Sequence, residues 1–254
     1  MLQPHSLLWH YLWIAPHALL ALLALFMWRR GVHKEFPAFF LYAVFESVGE
    51  GIIYAIDVSP SASPTIYWWS YLCFLVVEVF IKLAVIGEVF THLLRRYPSL
   101  GKLGKTLITA VGVILVFTAT IIAAFTNPTP FWLISATRIL GRSLSVVQCG
   151  LILFLLIFAT HFHLRWNRSV FGITVGCGIV ASLDLAYWAL MAGWLFGTKT
   201  YLLDFLNMGT YHACVLIWCY YLLVPQKNTT TSAVFLPEHN LDIWNRELER
   251  LLQP

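Results

Sequence analysis

Six acids and three bases lie well inside the long apolar runs of this chain: Glu46, Glu50, Glu78, Glu88, Asp184 and Asp204 against Lys82, Arg138 and Arg142. A charged side chain at the centre of a membrane helix costs about 2.5 to 3.5 kcal/mol even on lenient insertion scales. Such groups turn inward, towards one another or towards water. Glu78 and Lys82 are four apart and share a helix face, with the acid N-terminal to the base, the more favourable order. Glu46 and Glu50 are one turn apart, with Tyr42 and Tyr54 extending their stripe, and Arg138 and Arg142 are likewise one turn apart. A doubled carboxylate face and a doubled guanidinium face are natural partners, because arginine forks bind carboxylates through two parallel hydrogen bonds. His17 and His212 fall near mid-depth as well.

A closed network of three acids with three bases would simply lock helix register. Three acids are then left over, in a setting of low dielectric that disfavours an unpaired carboxylate. They call for a proton, water in a cavity, or a cationic ligand or ion. The set Glu46, Glu50, Glu78, Lys82, Arg138, Arg142, Asp184, Asp204 and His212 is therefore the candidate ligand-binding or proton-relay site.

Three classes of chemistry fit this inventory. A ligand-binding or sensing protein, coupled to a partner through its cytoplasmic face, is the reading the sequence favours. A proton-coupled transporter, or the membrane subunit of a larger complex, would use the same carboxylates to titrate and the arginines to clamp an anion. An intramembrane metal- or haem-dependent enzyme is the third, with His33, His92, His161 and His163 at one face or a bis-histidine haem between His17 and His212. Against it, His161 and His163 are two apart and do not share a helix face, and no HxxxH or HExxH occurs, so no metal site and no catalytic residues are assigned and no cofactor is identified. A retinal protein would need a lysine in its last helix, whereas Lys82 is the lysine inside the membrane runs.

The elements that must carry these groups are apolar helices. Of 254 residues 59% are hydrophobic and 11% charged, and the mean hydropathy is +0.76. A soluble domain carries about a quarter charged residues, so the expectation is an all-α integral membrane protein. Seven segments are long enough to span, at roughly 8–28, 37–57, 66–94, 106–126, 131–160, 169–196 and 201–224. Ser-Pro, Asn-Pro and Gly-Thr breaks punctuate them. Bases fall in alternate loops, at Arg29, Arg30 and Lys34, at Arg95, Arg96, Lys102 and Lys105, and at Arg165 and Arg168, with Lys227 after the last span; the opposite loops hold Lys199. The positive-inside rule then puts the N-terminus outside and the C-terminus in the cytoplasm of a plasma or inner membrane. The net charge of +4 is spread over short loops, so no nucleic-acid surface is implied. The five cysteines form no CxxC pair and read as small buried hydrophobes.

Three regions follow: a seven-helix transmembrane domain over 1–225, a polar linker over 226–237, and a short cytoplasmic amphipathic helix over 238–254. In the last, Leu241, Trp244, Leu248, Leu251 and Leu252 line one helix face. That stripe, Leu241 to Leu252, and the GxxxG pair Gly172/Gly176 are the candidate contacts with a protein partner or a second copy, besides the lipid bilayer and a small-molecule ligand.

Overall fold

A computed structural model describes residues 6–60, 63–95, 106, 109–110, 113–114, 132–161, 166–193 and 200–224. Six long helices fall on six of the seven expected segments: α1 Leu7–Arg29, α2 Pro37–Val58, α3 Pro64–Leu93, α4 Trp132–His161, α5 Arg168–Gly193 and α6 Thr200–Leu223. There is no strand among the described residues. The segment at 106–126, apart from a few helical positions, and the whole tail from 225 onwards lie outside the described residues, so the linker and the amphipathic stretch are not placed.

Local chemistry sets the boundaries. Ser6 and Ser63 are N-caps whose hydroxyls accept from Trp9 N and Ile66 N, each at 3.3 Å, and Pro37 and Pro64 occupy first-turn positions where a missing N–H costs nothing. Gly31, at φ +74°, turns the chain out of α1 into a short 3-10 turn, Val32–Lys34, that leads to α2. Glu88 of α3 supplies the cap that α2 lacks locally: its two carboxylate oxygens accept from Ala38 N at 2.9 Å and Phe39 N at 3.0 Å. One of the surplus acids is thereby explained as an anion at a helix N-terminus.

The helices pack as a ring in chain order, with α6 returning against α1, and α3 also touching α5. At the closing seam Arg30 donates to the carbonyl of Leu223 at 2.6 Å, satisfying one of the free acceptors at the end of α6. By length and composition, five of the six helices, all but α3, are apolar enough to cross a membrane, which marks the chain as a membrane protein. Their outward faces carry Leu22, Leu25, Val48, Ile52, Leu153 and Ile157, all exposed, as lipid contact requires.

The ring is filled at one end. Trp218, with 0% of its surface exposed, is wedged edge-on against Phe39 and Tyr42 and donates from its indole to the carbonyl of Ile173 at 3.4 Å, among Leu20, Leu23 and Met27. The Gly172/Gly176 pair makes room for this end: a Cβ on Gly176 would overlap the Trp218 ring, and one on Gly172 would overlap Tyr221. These glycines, expected as a candidate contact between copies, are thus covered by α6 of the same chain. Small residues here serve close packing within the bundle.

Candidate functional site

The other half of the ring is hollow. A cavity of about 380 Å³ lies between α1, α2, α3, α4, α5 and α6, at the end of the bundle where α2 turns into α3. That volume is in the range of small-molecule sites. Each wall is a helical stripe. On α3 the lining positions are Tyr67, Trp68, Tyr71, Phe74, Leu75, Glu78 and Lys82; on α5 they are Val180, Leu183, Asp184 and Tyr187; on α6, Asp204, Asn207, Met208 and Tyr211. These steps of three and four keep one face of each helix inward. From α2 come Glu46 and Glu50, and from α1 Leu12, Trp13, Pro16 and His17. Pro16 has no N–H, so the carbonyl of Leu12 lacks its helical donor on the wall of the cavity.

Polar contacts organise the lining. Lys82 Nζ lies 2.5 Å from Glu78 Oε1, the intrahelical pair expected from spacing, and 3.6 Å from Asp184 Oδ2 on α5. Glu50 accepts from the Trp13 indole at 2.9 Å, and Asp204 accepts from the Tyr187 hydroxyl at 2.9 Å. His17 donates from Nδ1 to the Trp13 carbonyl at 2.6 Å and stacks on Tyr211, ring centres 5.2 Å apart. The Tyr211 hydroxyl meets that of Tyr42 at 3.4 Å, where the hollow half gives way to the filled one. Glu46 differs from the rest: it is 6% exposed, it lines the cavity, and its Oε2 has no hydrogen-bond partner among the described residues.

Of the nine candidate residues, six come together around this space: Glu46, Glu50, Glu78, Lys82, Asp184 and Asp204. Arg142 does not join them. It is exposed on α4, one residue or about 100° round the helix from Gly141, which with Leu144 and Ser145 forms the inward stripe. The expected fork between Arg142 and the α2 carboxylates is absent, since the ion pairs among the described residues are the two made by Lys82. The side chain of Arg138 lies outside the described residues. His212 is half-buried beside Tyr11, ring centres 6.0 Å apart, and is not part of the cavity lining, whereas His17 is.

The residues that spacing alone did not single out are the aromatic ones: Trp13, Tyr67, Trp68, Tyr71, Tyr187 and Tyr211. A signal for three of them was there. Continuing the Glu78–Lys82 stripe towards the N-terminus passes through Tyr71 and Tyr67, and continuing from Asp204 passes through Tyr211. Among the described residues no three His, Cys, Asp or Glu side chains converge as metal ligands. Compared with protein-family models, curated proteins and solved structures, the chain has no match.

Proposed function

We propose that the chain is a seven-helix membrane protein that binds a small polar ligand in the cavity and reports its presence through the cytoplasmic face. The observation that carries this reading is Glu46: a buried carboxylate with an unpartnered oxygen on the wall of a 380 Å³ space. A group whose role was only to hold helices in register would be paired, because an uncompensated buried polar group costs stability. Glu78, Lys82 and Asp184 do behave as such a lock. Glu46 does not.

The apolar segment at 106–126 supplies the seventh span, and the loop bases set the N-terminus outside and the C-terminus in the cytoplasm. In that orientation the cavity faces the outer side, and Arg30, Lys34 and Arg95 mark the inner one. The stripe from Leu241 to Leu252 is the proposed route to a partner, which makes the tail separable from the binding site.

The test is native mass spectrometry with an absorption spectrum on protein gently extracted from its own membrane. A small molecule should accompany the wild type and be lost from Ser145→Trp, which fills the cavity from α4. Deleting 241–254 should leave the bound molecule in place while removing partner association. A protein that arrives bare, and whose unfolding is shifted by no small-molecule extract of the source cells, refutes the reading. Proton flux in proteoliposomes that needs no other solute and disappears in Glu46→Gln would reassign the chain to the proton-coupled carriers.

A further inference from the structure

We infer that the ligand of this cavity is an organic cation, an ammonium group carried on an apolar body. The inference rests on the ligand-binding reading and adds the chemical class of what binds. Among the described residues five carboxylates line the space, from Glu46, Glu50, Glu78, Asp184 and Asp204, against the one ammonium of Lys82. Lys82 is already committed to Glu78 and Asp184. The donors that reach Glu50 and Asp204 are an indole N–H and a phenol, which hydrogen-bond a carboxylate without cancelling its charge. Glu46 has neither a base nor a donor on its Oε2. Arg142, which could have offset this balance, lies on an exposed face. Among the described residues the space is thus short of positive charge on the side where α1, α2 and α6 meet it.

The remaining wall selects the kind of cation. Tyr67, Trp68 and Tyr71 form a continuous aromatic face on α3, with Trp68 set edge-on to both tyrosines at 86° and 89°. Trp13 and Tyr211 add further rings from α1 and α6. Ring faces carry the negative part of the aromatic quadrupole and attract ammonium groups, and cages of this composition suit cations that are bulky and weakly hydrated. A bare divalent ion would need several oxygen ligands converging at short range, and the described residues hold no such cluster. The volume of about 380 Å³ also asks for a molecule with a body, not a lone ion.

The experiment uses the purified full chain in nanodiscs and three probes that share one phenyl ring and differ in charge: benzyltrimethylammonium, benzoate and benzyl alcohol. Tryptophan fluorescence reports from Trp13 and Trp68, and the unfolding temperature gives an independent readout. Benzyltrimethylammonium should quench saturably and raise the unfolding temperature, with benzoate and benzyl alcohol binding at least tenfold more weakly. Glu46→Gln should weaken the ammonium probe at least tenfold. Glu35→Gln makes the same charge change at an exposed position at the opposite end of the bundle and should bind as the wild type does. Should Glu46→Gln fail to fold, Tyr71→Leu tests the aromatic wall and should weaken the ammonium probe several-fold. Benzoate binding as tightly as the ammonium probe, an inert ammonium probe, or unchanged ammonium affinity in both cavity variants overturns the inference. If mass spectrometry meanwhile finds an anionic or neutral compound, the cavity remains a ligand site and the cation assignment alone falls. If nothing binds by any measure, both fall together.

Discussion

Replacing Lys82 with methionine keeps the length and most of the volume of the side chain while removing its charge from between Glu78 and Asp184. The two oxygens stand 2.5 and 3.6 Å from Nζ, and side-chain exposures of 15% for Lys82, 9% for Glu78 and 22% for Asp184 leave little room for solvent screening. At an effective dielectric of about 20 each attraction is on the order of 5 to 7 kcal/mol before desolvation is counted. Desolvation offsets much of this, and removing one partner of a buried pair costs about 3 to 5 kcal/mol because the other charge stays buried. Lys82 leaves two acids behind, so Lys82→Met should lie in the upper half of that range, at about 4 to 5 kcal/mol. The assay is unfolding in mixed micelles titrated with a denaturing detergent. Glu78→Gln added to Lys82→Met removes one stranded acid and should recover about 1 to 3 kcal/mol, the usual coupling between contacting residues. A Lys82→Met cost under about 1 kcal/mol, with no recovery in the double variant, would refute the lock and leave Lys82 as a solvated member of the cavity wall.

Two further outcomes follow from packing and capping. Gly176→Ala forces the fully buried Trp218 ring to move and should cost about 1 to 3 kcal/mol as overpacking, while Gly150→Ala on α4, with nothing within 4 Å of the added carbon, should be tolerated; equal unfolding midpoints for the two would contradict the α5–α6 contact. Glu88→Ala strips the first turn of α2 of its acceptor and should cost about 1 to 2 kcal/mol, with faster amide exchange at Ala38 and Phe39; Glu88→Gln, which keeps one acceptor oxygen, should cost less, and unaltered exchange at both amides would rule out the cap.

Much of the framework was legible because membrane helices announce themselves by length and by the residues that interrupt them. The Ser-Pro break between the second and third segments ends at Ser63-Pro64, where α3 starts, and the Glu78–Lys82 pair follows from a spacing of four on one helix. Asp184 was legible as a buried acid but not as the second partner of Lys82, because that depends on how α5 is rotated against α3. The same limit explains Arg142. Depth along a helix can be read from sequence, and the doubled arginines share their depth with Glu50. Which stripe of α4 faces inward depends on how that helix is rotated in the bundle, and the inward one is Gly141, Leu144 and Ser145, which leaves Arg142 exposed. His212 and His17 pose the same question on α6 and α1, and the answer favours His17 because Tyr211, one residue before His212, takes the inward position and stacks on it. Glu88 was counted with the buried acids on composition. Its partners are backbone amides of another helix, which no side-chain inventory includes.

The placement of Glu78 and Lys82 on one helix also bears on how the chain is made. In the seven-span arrangement proposed above, helices enter the membrane in chain order, so α3 is accommodated before α5 has been synthesised. A bare ammonium at that stage would stand at the centre of a bilayer with nothing to oppose it. Because the carboxylate lies one turn before it in the same helix, the pair closes as soon as that turn forms, and α3 goes in with this charge cancelled at its middle. Asp184 then joins a pair already made. Moving the acid from position 78 to a neighbouring helix would preserve the finished bundle's inventory and lose this order of events.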